Sequence, residues 1–289
     1  MNSRRPNHPA VWGLALAFVV ALLVLAYVGF VRTITGQTID EQLLVAARGF
    51  LDAEVARDGA LGFLRYLPEV SAAVAASGLV AASIVRRSIS APVVALVSAL
   101  AAATTTQILK SVLPRPNLGI SEATMNSFPS GHTSVAAAAM LAIVLVASPR
   151  WRPVAATLGG AFASLAAAAT YILGWHRPAD VIGAVLVAGA WGLIGGWIIL
   201  AREPKWNTWH RGTRGAPSGV WLGLPWIPAI VGLGTAVLTW WLLLREPTRP
   251  FDELVGWYIL AGLGLVIGAT MAVFGAASGL LTRETRAAD

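Results

Sequence analysis

The sequence predicts an all-α fold, a polytopic transmembrane helical bundle with a six-helix core and two further C-terminal membrane helices. Three observations carry this. Only 12% of the 289 residues are charged, against roughly 25% in a soluble domain. The hydrophobic share is 56% and the mean hydropathy +0.69. Apolar runs near the about 20 residues that a spanning helix needs recur along the whole chain.

Eight such runs are expected, at about 10–31, 68–85, 91–109, 131–148, 153–174, 180–200, 219–244 and 255–281. The first is longer than the about 7–15 residues of a signal-peptide core, and no Ala-x-Ala site follows. It is read as a retained helix. Eight crossings place both termini on one side. With the termini cytoplasmic, twelve of the 21 Lys and Arg fall inside, together with only three of the 14 acids. This satisfies the positive-inside rule. The net charge of +7 is therefore a topology signal, and no nucleic-acid partner is expected. The chain has no Cys, which excludes disulfides and thiolate metal sites. Its Ala- and Arg-rich, Lys-poor composition suggests a GC-rich bacterial genome.

Between the first two runs lies a long outer loop, 32–67. In "TIDEQLLVAARGFLDAEVA", Thr38 and Glu41 have capping-box spacing. Ile39, Leu43, Leu44, Phe50, Leu51 and Val55 outline an apolar stripe. An interfacial helix is expected there, either packing on the bundle or serving as a lid or lipid access. Segment 202–218, "REPKWNTWHRGTRGAPS", is basic and Trp-rich. It reads as a cytoplasmic linker at the membrane interface. Gly192-x-x-x-Gly196 reads as a close-packing motif.

Three polar clusters fall at helix ends, all on the outer side. Pro129-Ser130-Gly131-His132 opens the fourth run. A helix N-terminus presents unpaired N–H groups and partial positive charge, an anion site. Gly131 lets an oxyanion approach the backbone, Ser130 can cap or donate, and His132 can give a proton. The alternative is an ordinary N-cap beside an interfacial His. His176 and Asp180, four apart, share a helical face. Such a carboxylate fixes an imidazole tautomer for nucleophilic or basic work; the alternative is a local hydrogen bond. Lys110 and Arg115 either snorkel or bind an anion. Two cations, a helix N-terminus and two histidines on one side make a phosphate cage with acid and nucleophile included.

With these residues assembled, "KSVLPRP", "PSGH" and "HRPAD" resemble the type 2 phosphatidic acid phosphatase family, lipid phosphatases related to vanadium haloperoxidases. The resemblance spans roughly residues 1–200. It implies a six-helix phosphatase-like membrane core at 1–201, the linker at 202–218 and an additional helix pair at 219–289. It further implies that Lys110, Arg115, Ser130 and Gly131 bind phosphate. His132 would be the general acid, His176 the nucleophile and Asp180 its orienting group. Neither metal nor cofactor is implied. Two departures stand out. Lys110 and Arg115 are four residues apart where the family has six. The family arginine six residues before the nucleophile is Thr170 here. Arg177 is a further candidate phosphate ligand that would compensate.

The expected function is hydrolysis of a lipid-linked phosphate or diphosphate at the extracytoplasmic face of the plasma (inner) membrane, through a phosphohistidine. Polyprenyl diphosphate, a carrier in the cell envelope, is one candidate substrate; phosphatidate, phosphatidylglycerol phosphate and a polyprenyl-phosphate sugar are others. The alternative is a catalytically impaired relative that binds or transports a lipid phosphate. A phosphotransferase is a third reading.

Overall fold

The computed structural model describes residues 9–49, 54–121, 125–210 and 219–288. Among them, seven helices are long and apolar enough to cross a membrane, and an eighth, Gly131–Val146, is apolar but shorter. The chain is a polytopic helical membrane protein. Its exposed surface carries large apolar side chains such as Leu14, Ile84, Val85, Leu100 and Val237, as lipid contact requires. A short parallel strand pair, Thr208–His210 with Arg286–Ala288, is the only β-structure among the described residues.

Helix α1 (Pro9–Ala26) continues as a π-helical turn over Tyr27–Val31. The chain then bends into α2 (Ile34–Arg48), the expected outer-loop helix. The expected capping box at Thr38 and Glu41 does not form. The N-cap is Thr33, whose hydroxyl accepts from Gly36 N–H at 3.0 Å. Thr38 sits inside the helix and donates to the Ile34 carbonyl instead. Of the expected apolar stripe, Leu43 and Leu44 are buried; Phe50 and Leu51 lie outside the described residues. Helix α3 (Glu54–Arg86) begins earlier than expected, absorbs the end of the loop and contains Pro68.

The centre of the bundle is α5 (Gly131–Val146), with α4 (Ser90–Val112), α6 (Arg152–Ile172), α7 (Pro178–Arg202) and α3 packed around it. At 1.5 Å per residue α5 is about 24 Å long, less than the about 30 Å hydrocarbon core. Twelve of its sixteen residues are buried, so its length is matched to protein neighbours rather than to lipid. The Ala136–Ala139 run lets those neighbours approach.

The last two helices are α9 (Trp226–Arg245), preceded by the one-turn α8 (Gly219–Gly223), and α10 (Phe251–Arg283). Helix α10 packs on α6, α7 and α2 as well as on α9. The start of the linker is also packed. Arg152, 1% exposed, donates to Asn207 Oδ1 at 2.7 Å, and Asn207 donates on to the Leu281 carbonyl. Gly192 and Gly196 serve packing: a Cβ on Gly196 would lie 3.0 Å from the Trp12 ring.

Backbone meets backbone between α9 and α10. A Cβ on Gly264 would lie 2.5 Å from the Gly232 carbonyl oxygen, and one on Gly268 2.6 Å from the Leu233 nitrogen. Only small residues permit that approach. Gly264→Leu is expected to lower the melting temperature in detergent, with an overpacking cost of about 1–3 kcal/mol or more. Gly234→Leu, where a Cβ meets nothing within 4 Å, is the control and should melt near wild type.

Candidate phosphate site at the helix ends

Motif one leaves the membrane where α4 ends. Lys110 lies in its last turn, the helix stops at Val112, and Leu113 is extended (φ −80, ψ 120). The shortened Lys110–Arg115 spacing is therefore accommodated by extended backbone rather than by helix. The carbonyls on either side of Arg115 are held from outside. Tyr27 Oη donates to Pro114 O at 2.7 Å, and Gln37 Nε2 donates to Pro116 O at 3.0 Å. Both terminal guanidinium nitrogens of Arg115 are buried and make no hydrogen bond among the described residues. Burial and the neighbouring Arg177 guanidinium pull the Arg115 pKa below its ordinary range, against Asp180, Asp40 and Glu41.

Motif two is the N-terminus of α5. Ser130 is its N-cap, fully buried. Its Oγ donates to Thr133 Oγ1 at 3.1 Å and accepts a long 3.5 Å bond from Thr133 N–H. The next two residues, Gly131 and His132, carry N–H groups with no intrahelical acceptor. A Cβ on Gly131 would meet the Gln107 amide at 3.4 Å. The His132 ring lies against Trp175, centroids 5.5 Å apart. His132 is within electrostatic reach of both His176 and Lys110.

Motif three is the turn from α6 into α7. Gly174 takes φ +68, which a glycine adopts without strain. The N–H groups of Trp175 and His176 then donate to the Thr170 carbonyl at 3.1 and 3.2 Å. His176 Nδ1 lies 3.4 Å from Asp180 Oδ2, and the Arg177 N–H donates to the same oxygen at 3.1 Å. His176 is 8% exposed and Asp180 fully buried. With Nδ1 turned to the carboxylate, Nε2 is the ring nitrogen left for another partner. Ser130 N–H donates to the Asp180 carbonyl at 2.8 Å, joining motif three to motif two.

The structure thus brings Lys110, Arg115, Ser130, Gly131, His132, His176 and Asp180 to one end of the bundle. Arg177 is turned elsewhere. Its Nε donates to Glu41 Oε2 at 2.8 Å and a terminal nitrogen pairs with the same oxygen. Its other contacts are Ser121 Oγ (2.7 Å) and Ser127 Oγ (3.3 Å). Thr170 is fully buried. Its hydroxyl donates to the Ala167 carbonyl at 2.9 Å and lies 3.5 Å from that of Thr133. Position 170 therefore faces the α5 N-terminus, with a neutral hydroxyl cluster where the family resemblance expects a cation.

Sequence reasoning missed Asp40. It is 1% exposed, and its Oδ1 accepts from Ala179 N–H at 3.0 Å, in the first turn of α7. The signal was present: Asp40 falls on the apolar stripe of α2, three and four residues before Leu43 and Leu44. Adjacent Asp40 and Glu41 thus fasten α2 to motif three.

Burial, then the Asp180 charge, raises the Asp40 pKa from 3.8 to about 8. Between those values the unfolded chain releases a proton that the folded chain holds, so this group's contribution to stability declines as pH rises. Asp40→Asn removes the dependence. Its melting temperature relative to wild type is expected to rise from pH about 4 to about 8 and to level off above.

No curated protein and no solved structure matches the chain. Residues 91–204, from α4 to just past the end of α7, match the family model described as PAP2 superfamily. That matched segment holds Lys110, Arg115, the PSGH cluster, His176 and Asp180.

Proposed function

We propose that the protein is a membrane phosphatase acting on a lipid-borne phosphate or diphosphate at the extracytoplasmic face. The observation that carries this reading is the buried fork of Arg115, which has no hydrogen-bond partner among the described residues, beside a His–Asp pair and a helix N-terminus. A guanidinium with no acceptor is costly to bury, and two oxygens of a phosphate supply the missing acceptors bidentately. The superfamily match supports phosphatase-type chemistry. The apolar belt around the site supports a substrate held in lipid.

Arg115 and Lys110 hold the phosphoryl oxygens, with the N–H groups of Gly131 and His132 completing the cradle. His176 Nε2 attacks phosphorus in line, while Asp180 stabilises the charge that the ring gains. The bond from phosphorus to the leaving oxygen breaks as His132 protonates that oxygen. Water, losing a proton to His132, then displaces His176 from the phosphohistidine, and inorganic phosphate leaves. Arg177 serves as a clasp: its pairing with Glu41 holds α2 over motif three.

Thr170 favours a second reading, a lipid-phosphate binder or transporter with impaired turnover. Arginines aimed at a transferring phosphoryl group contribute roughly 10³-fold or more, and position 170 faces the cradle without one.

Purified protein in detergent, given a panel of lipid phosphates and diphosphates, should release phosphate, and His176→Ala should abolish release. Wild type and variant indistinguishable on every substrate defeats the phosphatase reading. Thr170→Arg separates the two readings. An active native site should lose turnover when a cation enters its closed hydroxyl cluster. An impaired one should gain about tenfold or more.

A further inference from the structure

A cleft of about 620 Å³ runs along α7 between α1 and α10. Three helical stripes line it. Ile182, Leu186 and Leu193 of α7 form the floor, with Phe18 and Leu22 of α1 on one wall. Opposite stand Ala269, Ala272 and Ala276 of α10, whose small side chains hollow the space. Asp40 is the one ionisable side chain among its lining residues, and with Ala179 it marks the outer end. Those two residues also adjoin motif three, through the Ala179 N–H to Asp40 bond and Asp180 alongside. At the inner end Trp12 Nε1 donates to Glu284 Oε1 at 3.3 Å, tying α1 to the end of α10. The wall formed by α10 lies outside the superfamily match at 91–204.

We infer that this cleft binds the single apolar chain of the lipid whose phosphate occupies the Arg115 site. The inference rests on the phosphatase reading for the identity of the headgroup, and on the cleft for the tail. Length decides the kind of chain. From Ala179 to Leu193 the floor rises about 21 Å at 1.5 Å per residue. One leaflet of a hydrocarbon core about 30 Å thick is about 15 Å deep. A chain seated along the whole cleft passes the bilayer midplane, which the paired acyl tails of one leaflet do not. A long polyprenyl-type chain fits: it is apolar throughout, single, and joined to phosphate at one end. The end of the cleft at Asp40 and Ala179 adjoins motif three, which sets the direction of the chain: headgroup toward motif three and tail toward Trp12.

The test is a ratio, so that general loss of activity does not count. Phosphate release is measured from undecaprenyl and farnesyl diphosphate. Ala272→Phe, which fills the middle of the cleft, should lower the undecaprenyl-to-farnesyl ratio of kcat/KM by about tenfold or more. Leu100→Phe, on the lipid-facing side of α4, should leave the ratio at the wild-type value. If Ala272→Phe does not fold, Ala276→Leu is the milder replacement. A second measurement needs no turnover. A photoreactive undecaprenyl phosphate should label α7 and α10 of the wild type, with labelling displaced by undecaprenyl phosphate and not by phosphatidate. Such labelling without hydrolysis of any lipid would uphold the cleft and sink the phosphatase reading. An unchanged ratio, or labelling elsewhere, overturns the cleft while hydrolysis stands. Because the chain has no Cys, an Ala272→Cys variant forming disulfide-linked dimers would assign the cleft to a second copy, and that too overturns it.

Discussion

The hydrogen bond from Ser130 N–H to the Asp180 carbonyl holds the site together. It joins the N-cap of one helix to the first turn of another, fifty residues further on. In lipid no water is present to satisfy backbone polar groups, so a helix end within the bundle must find its partners in protein. The start of α7 satisfies that need for α5, and the two N-termini are joined at one end of the bundle. His176 and His132, carried by these two ends, are brought together by the same stitch.

Around it lies a second tier supplied by the N-terminal third of the chain. Tyr27 and Gln37 hold the carbonyls flanking Arg115, and Asp40 and Glu41 hold the beginning of α7. Tyr171 extends the frame, donating from α6 to the Leu43 carbonyl of α2 at 2.9 Å. Helix α2 thus acts as a rigid brace that positions motifs one and three. A buried carboxyl such as Asp40 is tolerable because it accepts a backbone N–H and lies among guanidinium groups. The consequence is that motif three depends on residues well outside the segment 91–204.

The C-terminal pair is bound into the structure rather than hung from it. Glycines allow α9 and α10 to touch through their backbones, and α10 then covers α6 and α7. Between α10 and α1 an apolar cleft runs along α7. The extra helices therefore do two things at once: they bury one side of the core and wall that apolar cleft.

Much of this was legible in the residues. Long apolar runs and the uneven placement of Arg and Lys determine a polytopic helical bundle, because the bilayer fixes helix length and exacts a penalty for charge. Motifs at helix ends, on one side, determine the cluster of Lys110, Arg115, Ser130, His132, His176 and Asp180. What only tertiary structure decided is where the charges outside those motifs go. Thr38 and Glu41 carry the spacing of a local cap, yet Glu41 reaches across to Arg177, which is drawn into that pair. Local spacing records what neighbours along the chain can do for one another. A buried charge in lipid takes the partner that packing presents, and that partner here lies more than a hundred residues away.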